Sequence, residues 1–278
     1  MGTLFIVATP IGNLEDITLR ALRVLSEADL IAAEDTRTTR ALLTRHGIRN
    51  RLLSYNEHNM RARTPQLLSA LEIGDIALVS EAGTPGVSDP GYQLLRAAVD
   101  AGFATVAVPG PSAVIAALAV SGLPMREFTF LGFLPRRVGD RRRALTAVAT
   151  EPRTLVLFES PHRLRRTLAD MRATLGDRRI AVCRELTKAF EEVFRGTISQ
   201  ALGHFSEPRG EFTLVIEGAL TTTRPTADDD AVRQQLLGLK ADGAKARDAV
   251  AQVASTFGLP KRSVYQLWLD LEHGGSSP

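Results

Sequence analysis

The sequence predicts an α/β protein: two α/β domains followed by a small carboxyl-terminal helical segment. Three observations predict it. Short β-rich apolar runs alternate with helical patterns through residues 1–122, the rhythm of a parallel sheet covered by helices on both faces. The pattern breaks at Gly122-Leu123-Pro124 and resumes with more closely spaced strands over 123–220. A stretch rich in threonine, proline and aspartate, 221–230, then reads as a linker to helical sequence at 231–273. With 278 residues, 44% of them hydrophobic, the chain is long enough for two cores.

Taken in order, the clearest strands of the first unit are Leu4 to Ala8, Leu30 to Ala33, Ile76 to Ser80 and Thr105 to Val108. Helical patterns fall at Thr18 to Glu27, Thr36 to His46, Tyr92 to Ala101 and Ser112 to Ser121, several opened by threonine, serine or proline. In the second unit, Phe128 to Pro135 reads as a strand ending at an aromatic-glycine-proline corner. Strands follow at Thr154 to Phe158, Ile180 to Cys183, Glu192 to Gly196 and Phe212 to Glu217, with helices at Arg141 to Ala149, Pro161 to Leu175 and Ser199 to His204. Adjacent hairpin-like strands make this sheet a mixed one. At the end, Ala244 to Phe257 has helical spacing, Gly258-Leu259-Pro260 turns the chain, and Lys261 to Leu271 carries Tyr265 and Trp268. That arrangement fits either a helix-turn-helix or a packing hairpin.

Composition excludes several function classes. The single cysteine, Cys183, follows the apolar run Ile180-Ala181-Val182 and reads as a buried structural thiol in an intracellular protein. No apolar run approaches the roughly 20 residues that span a bilayer, and the amino terminus lacks a basic region, so a cytoplasmic, non-membrane protein is expected. Histidines at 46, 58, 162, 204 and 273 show no close ligand spacing, and metal is not indicated. His162 is read as a phosphate contact or a helix cap rather than a catalyst.

Thirty of the 34 basic residues are arginine, which forks onto phosphate oxygens. They cluster at Arg136, Arg137, Arg141, Arg142 and Arg143, and again at Arg163, Arg165 and Arg166. The first cluster reads either as an RNA-contacting patch or as a solvated helix face.

The chemistry-bearing signal lies in loops. Ser80-Glu81-Ala82-Gly83-Thr84-Pro85-Gly86-Val87-Ser88-Asp89-Pro90-Gly91 follows a strand with three glycines and two prolines in twelve residues, which fix unusual backbone angles and allow close approach. Its Ser88 and Asp89 are read as caps for the next helix. Thr9-Pro10-Ile11-Gly12-Asn13-Leu14-Glu15-Asp16 and Val108-Pro109-Gly110-Pro111-Ser112-Ala113 also leave strands. Open α/β sheets hold ligands at such strand ends. The Thr9 to Asp16 loop carries neither a dinucleotide fingerprint nor a nucleoside-triphosphate loop, so nicotinamide cofactors and nucleoside triphosphates are not expected.

These loops, together with Ala33-Glu34-Asp35-Thr36-Arg37, Phe158-Glu159-Ser160-Pro161-His162-Arg163 and Arg184-Glu185-Leu186-Thr187-Lys188, stand in the order found in one family. Over residues 3–218 the chain resembles the bacterial 16S ribosomal RNA (cytidine-2′-O)-methyltransferases of the small subunit, which are tetrapyrrole-methylase-like enzymes, and its helical end also fits that family. The resemblance implies two α/β domains of tetrapyrrole-methylase type with S-adenosylmethionine in the cleft between them. It implies 16S rRNA of the 30S subunit as substrate, a cytidine of the decoding region as target, and a homodimer.

Carried over by position, Pro10, Ala82, Gly83, Thr84, Val87, Ser112 and Ala113 contact the cofactor from the first domain. Phe158, Leu186, Gly210, Glu211, Phe212 and Thr213 close over it from the second. Glu81 stands where the family often has aspartate, and Phe158 where it commonly has tyrosine. Near this cleft Glu159, Glu185 and Lys188 are the candidate general bases, the lysine requiring a lowered pKa, while Glu185 equally fits an ion pair. Arg136, Arg137, Arg141, Arg142, Arg143 and Arg163 are the candidate RNA contacts. Two other functions stay open from sequence: a tetrapyrrole C-methyltransferase, and a non-enzymatic ribosome-binding module.

Overall fold

Strand and helix alternate from the start: β1 (Thr3–Val7), α1 (Leu19–Glu27), β2 (Leu30–Ala33), α2 (Thr36–Arg45), β3 (Leu52–Ser54), α3 (Met60–Leu71), β4 (Ile76–Val79), α4 (Tyr92–Asp100), β5 (Ala104–Val108) and α5 (Ala113–Ser121). The structure is a computed structural model that describes residues 1–219, 227–257 and 261–273. All five strands pair in parallel in the order β3-β2-β4-β1-β5.

Period-two alternation divides the side chains of this sheet between two cores. Ile31, Ala33, Ala77 and Val79 pack with α1 and Leu43 of α2 on one face; Ala32, Ile76 and Leu78 pack with Leu67, Leu71 and Leu94 of α3 and α4 on the other. The expectation of a parallel sheet covered on both faces is met. Two elements, β3 and α3, carry little sequence signal. The strand has only three residues, and the helix contains Pro65 in its interior.

The second sheet joins β6 (Phe128–Phe133), β7 (Thr154–Glu159), β8 (Arg179–Arg184), β9 (Glu192–Thr197) and β10 (Phe212–Ile216), interleaved with α6 (Val138–Ala147), α7 (Pro161–Leu175) and α8 (Ile198–His204). Its order is β6-β7-β10-β8-β9. Only the β6–β7 pair is parallel, so the sheet is mixed, as expected. Alternation again supplies two faces. Leu155, Leu157, Ile180, Val182, Leu214 and Ile216 pack on α6, α7 and α8.

Val156, Ala181, Cys183 and Val215 on the opposite face are covered by Val114, Ala117 and Leu118 of α5. Thus α5, which the sequence groups with the first domain, lies on the second sheet. Arg195 of β9 secures it by donating through Nε to the Val120 carbonyl at 3.0 Å. Both sheets belong to one compact unit, Met1–Ala219.

The remaining residues, Leu220–Pro278, form a second unit containing α9 (Ala227–Ala241), α10 (Ala246–Phe257) and α11 (Lys261–His273). Its core includes Val232, Leu236, Val250, Val253, Val264 and Trp268. Lys240 Nζ sits 5.5 Å from the centre of the Trp268 ring. Helix α9 falls mostly within the stretch 231–273 read as helical, and it begins earlier, taking in Asp228 to Asp230 of the stretch read as linker. The Gly258-Leu259-Pro260 turn and residues 221–226 lie outside the described residues. Among the described residues no helix is long and apolar enough to cross a membrane.

Candidate active site

Loops leaving the carboxyl ends of β1, β4 and β5 converge because these strands lie side by side and run the same way. Reciprocal backbone bonds tie two of them: Thr9 N–H donates to the Gly83 carbonyl at 2.9 Å, and Gly83 N–H donates to the Thr9 carbonyl at 3.0 Å. Gly83 needs its left-handed backbone, φ 76°, to make this bridge. The loops form one wall of a cavity of about 560 Å³.

Pro10, Ile11 and Gly12 line the cavity from the first loop, Ala82, Gly83, Thr84 and Val87 from the second, and Ser112 and Ala113 from the third. Ser112 is the residue at the start of α5, and its hydroxyl makes no capping bond, so it is free to face a ligand beside the helix amino terminus. The opposing wall comes from the second sheet: Phe158 of β7, Leu186 after β8, and Glu211, Phe212 and Thr213 at the start of β10. Phe158 is held by Phe130 and Phe133, with ring centroids 5.1 and 5.5 Å away.

The structure therefore brings together on one cavity every expected cofactor contact except Gly210. That residue stands behind the wall with φ 86°, where a Cβ would lie 2.5 Å from Glu185 Cγ. Its missing side chain lets the Glu185 carboxylate reach the Glu211 N–H at 2.9 Å. Cys183, buried as expected, lines the cavity, and burial pushes its thiol up to about 12.

The three candidate bases are differently placed. Glu159 lines the cavity, but its oxygens accept from the Ser160 N–H at 2.8 Å and the Thr167 hydroxyl at 2.5 Å, with Arg163 Nε at 3.4 Å. It holds the start of α7. Glu185 does not line the cavity; it accepts from Glu211 N–H and from Lys188 Nζ at 3.0 Å, and the backbone bond from Glu211 first, then Lys188, keeps its carboxyl below the usual range.

Lys188 lines the cavity between Glu185 and Glu211, the latter at 2.8 Å. Burial alone would lower its pKa, yet its bonds to Glu211 and Glu185 outweigh burial and raise it. The lowered lysine pKa that base catalysis requires is absent, because two carboxylates stabilise the ammonium.

The arginines divide in the same way. Arg141 is buried, donating through Nε at 2.8 Å and Nη2 at 2.6 Å to Asp170, so it is an internal strut between α6 and α7 and not an RNA contact. Arg163 also turns inward: Nη2 donates to the Leu134 carbonyl at 2.6 Å, and its Nε is buried. Packing explains both corrections: α6 lies against α7, where Arg141 pairs the buried Asp170, and Arg163 at the start of α7 reaches the carbonyls of Leu134 and Pro135 just beyond the end of β6. Arg136, Arg137, Arg142 and Arg143 stay exposed, with Arg142 bonding Asp170 at 2.8 Å through its Nε.

Sequence reading missed an acidic strip on the cavity wall. Strands β2 and β4 pair with Ala33 opposite Val79, so Glu34, one residue beyond β2, and Glu81, two residues beyond β4, emerge close together. The Glu81 N–H donates to Glu34 Oε2 at 2.9 Å. Asp89 joins them on the cavity and caps no helix: α4 begins after Gly91 with no side-chain cap. Burial, then the nearby Glu34 charge, pushes the Asp89 carboxyl up to about 7, against the lowering effect of the neighbouring Ser80 hydroxyl. Glu34 is raised in turn by burial, opposed by the Glu81 N–H and helped by the Glu81, Glu57 and Asp35 charges.

Residues 3–202 match the family described as Tetrapyrrole (Corrin/Porphyrin) Methylases. A Synechocystis protein named ribosomal RNA small subunit methyltransferase I is 47% identical over 279 residues, covering 99% of this chain and 100% of its own. A Thermotoga maritima protein of the same name is 50% identical over 221 residues, covering 78% of this chain and 99% of its own. The fold is shared with the crystal structure of a Thermus thermophilus uroporphyrin-III C-methyltransferase in complex with S-adenosylhomocysteine, at TM-score 0.57 and 19% identity, covering 78% of this chain and 97% of that one.

Proposed function

Since the chain belongs to the ribosomal RNA small subunit methyltransferase I family, within the tetrapyrrole methylases, we propose that it transfers a methyl group from S-adenosylmethionine to the 2′-oxygen of a cytidine in the decoding region of 16S rRNA, acting on the 30S subunit in the cytoplasm. The observation that carries this reading is the cavity itself. Three glycine-proline loops of one sheet face the strand ends of the other across a space of about 560 Å³, within the range of small-molecule sites.

In this reading Pro10, Ala82, Gly83, Thr84, Val87, Ser112 and Ala113 hold the cofactor from one side, and Phe158, Leu186, Phe212 and Thr213 from the other. The apolar ring and small side chains suit an adenosine face, while free backbone amides at the loops and the α5 terminus suit its polar groups. The sulfonium carries its own leaving group, so the protein's main contribution is alignment of oxygen, methyl and sulfur. Arg136, Arg137, Arg142 and Arg143 supply phosphate contacts for the RNA. We read the chain as a homodimer, for which exposed Ile115 and Val120 of α5 offer apolar surface.

The test is incubation of the protein with 30S subunits and isotopically labelled S-adenosylmethionine, followed by mass spectrometry of nuclease fragments of the 16S rRNA. Label on a ribose of a decoding-region cytidine supports the reading. Label on a base, or on added uroporphyrinogen and not on RNA, overturns it.

A further inference from the structure

Resting on the methyl-transfer reading, we infer that Asp89 is the proton acceptor of the reaction, taking the proton of the ribose 2′-hydroxyl as that oxygen attacks the methyl group. In the step, a bond forms between the 2′-oxygen and the methyl carbon while the carbon–sulfur bond breaks. Its electron pair stays on sulfur, which becomes a neutral thioether, and the hydroxyl proton moves to an Asp89 carboxylate oxygen. A sulfonium cation, a carboxylate and an alcohol thus become a thioether, a carboxylic acid and an ether, with charge and atoms balanced.

Geometry selects Asp89 by what the other groups are already doing. Glu159 is held by Ser160, Thr167 and Arg163, and Lys188 is an ammonium clasped by Glu185 and Glu211. Of the acidic strip, Glu34 accepts the Glu81 N–H, and Glu81, though it borders the cavity, is exposed where Asp89 is half-buried. Asp89 lines the cavity, is half-buried, and receives no N–H from any described residue, while Ser80 beside it donates its hydroxyl to the Ala82 carbonyl at 3.1 Å. Its loop is fixed: Ser88 before it holds a left-handed backbone, φ 67°, and its Oγ lies 3.0 Å from where a Cβ on Gly132 would sit. A non-glycine residue in that conformation is uncommon, and such strain gathers where a side chain must be aimed.

The charged groups around it account for its proton affinity. Glu34 faces it from the end of β2, with Asp35 and Glu57 acting on Glu34, and Glu81 faces it from its own loop with Arg37 nearby. Lys188, already neutralised, lines the far wall of the cavity with Glu159. Burial and these negative neighbours bring Asp89 to about 7, where a base is both ionised and avid enough to accept a proton near neutral pH.

Only the ionised form accepts, so single-turnover methylation by the wild type rises with pH through about 7 and then levels. The experiment measures that profile on 30S subunits for the wild type, Asp89→Asn and Glu34→Gln, with S-adenosylmethionine affinity by calorimetry. Asp89→Asn is expected to keep cofactor affinity within about threefold, lose roughly 100-fold or more in rate, and lose the rise near 7. Glu34→Gln removes the negative charge that raises Asp89 most, and the rise moves to lower pH.

Retention of the rise in Asp89→Asn, its failure to move in Glu34→Gln, or a rate loss explained by lost cofactor binding would each overturn the assignment. A wild type that binds no S-adenosylmethionine or methylates no ribose fails at the earlier reading instead, which separates the two ideas.

Discussion

At the scale of single residues, the same type of side chain serves opposite ends a few positions apart. Arg141 and Arg142 are neighbours on α6, yet one is buried against Asp170 and the other lies mostly in solvent. Removing Arg141 leaves Asp170 buried with half its ion pairing, and loss of a buried partner costs about 3 kcal/mol. Arg141→Ala should therefore lower the midpoint of urea unfolding clearly. Arg137→Glu with Arg143→Glu, exposed positions that do not pair with Asp170, should leave that midpoint almost unchanged and weaken 30S binding, more so at low salt, with cofactor affinity intact. A filter-binding titration at two salt concentrations checks it, and equal loss of 30S and cofactor binding would point to misfolding instead. Sequence clustering located the basic patch, but which arginine turns inward depends on where α7 places Asp170, 29 positions beyond Arg141.

At the scale of elements, the loops were legible because glycine and proline act locally. The turn chemistry of Ala82 to Gly86 announces itself without knowledge of the rest of the chain, and the strand that precedes it was read to within a residue. The acidic strip was not legible. Glu34 and Asp89 are 55 positions apart, and they meet only because β2 and β4 are sheet neighbours, a fact of strand order that no local pattern carries. Helix α3 and strand β3 escaped for a different reason: an internal proline and a three-residue length suppress the signals that periodicity provides.

Loop packing also gives a sharp expectation. A Cβ on Gly12 would lie 2.5 Å from Lys188 Cγ, 2.8 Å from Thr187 Oγ1 and 3.0 Å from the Leu186 carbonyl oxygen. The opposing loop has little room to yield, since Thr187 Oγ1 accepts the Asn13 N–H at 3.0 Å and Glu191 accepts the Thr187 N–H at 2.5 Å. Gly12→Ala should spread the two walls, at about 1–3 kcal/mol of overpacking, and weaken S-adenosylmethionine at least tenfold by calorimetry. Undiminished affinity would mean that the walls do not need this contact.

At the scale of the whole molecule, the cavity is divided between two sheets that share one compact unit. A ligand bound across it touches both, so it favours the assembled state over any state in which the sheets part. At 100 times its dissociation constant such a ligand adds about 2.7 kcal/mol, which for a domain of this size corresponds to a rise of roughly 5–10 °C in unfolding temperature. Scanning calorimetry with and without S-adenosylhomocysteine reads this directly. A rise confined to one of two separate transitions within Met1–Ala219 would show that the sheets unfold independently.

Helix α5 makes such independence hard to achieve. The sequence pattern breaks after it, at Gly122, whereas the spatial division falls before it, where the chain leaves the first sheet at Val108 and crosses to the second. Cutting the gene at the pattern break would thus yield two damaged fragments. One would carry an apolar helix with nothing to cover; the other would present Val156, Ala181, Cys183 and Val215 to water. The helix works as a strap sewn from one half onto the other, and its first turn borders the cavity. An engineered exchange of halves between relatives would have to place its crossover near residue 110, before the strap, for α5 to stay with the sheet it covers.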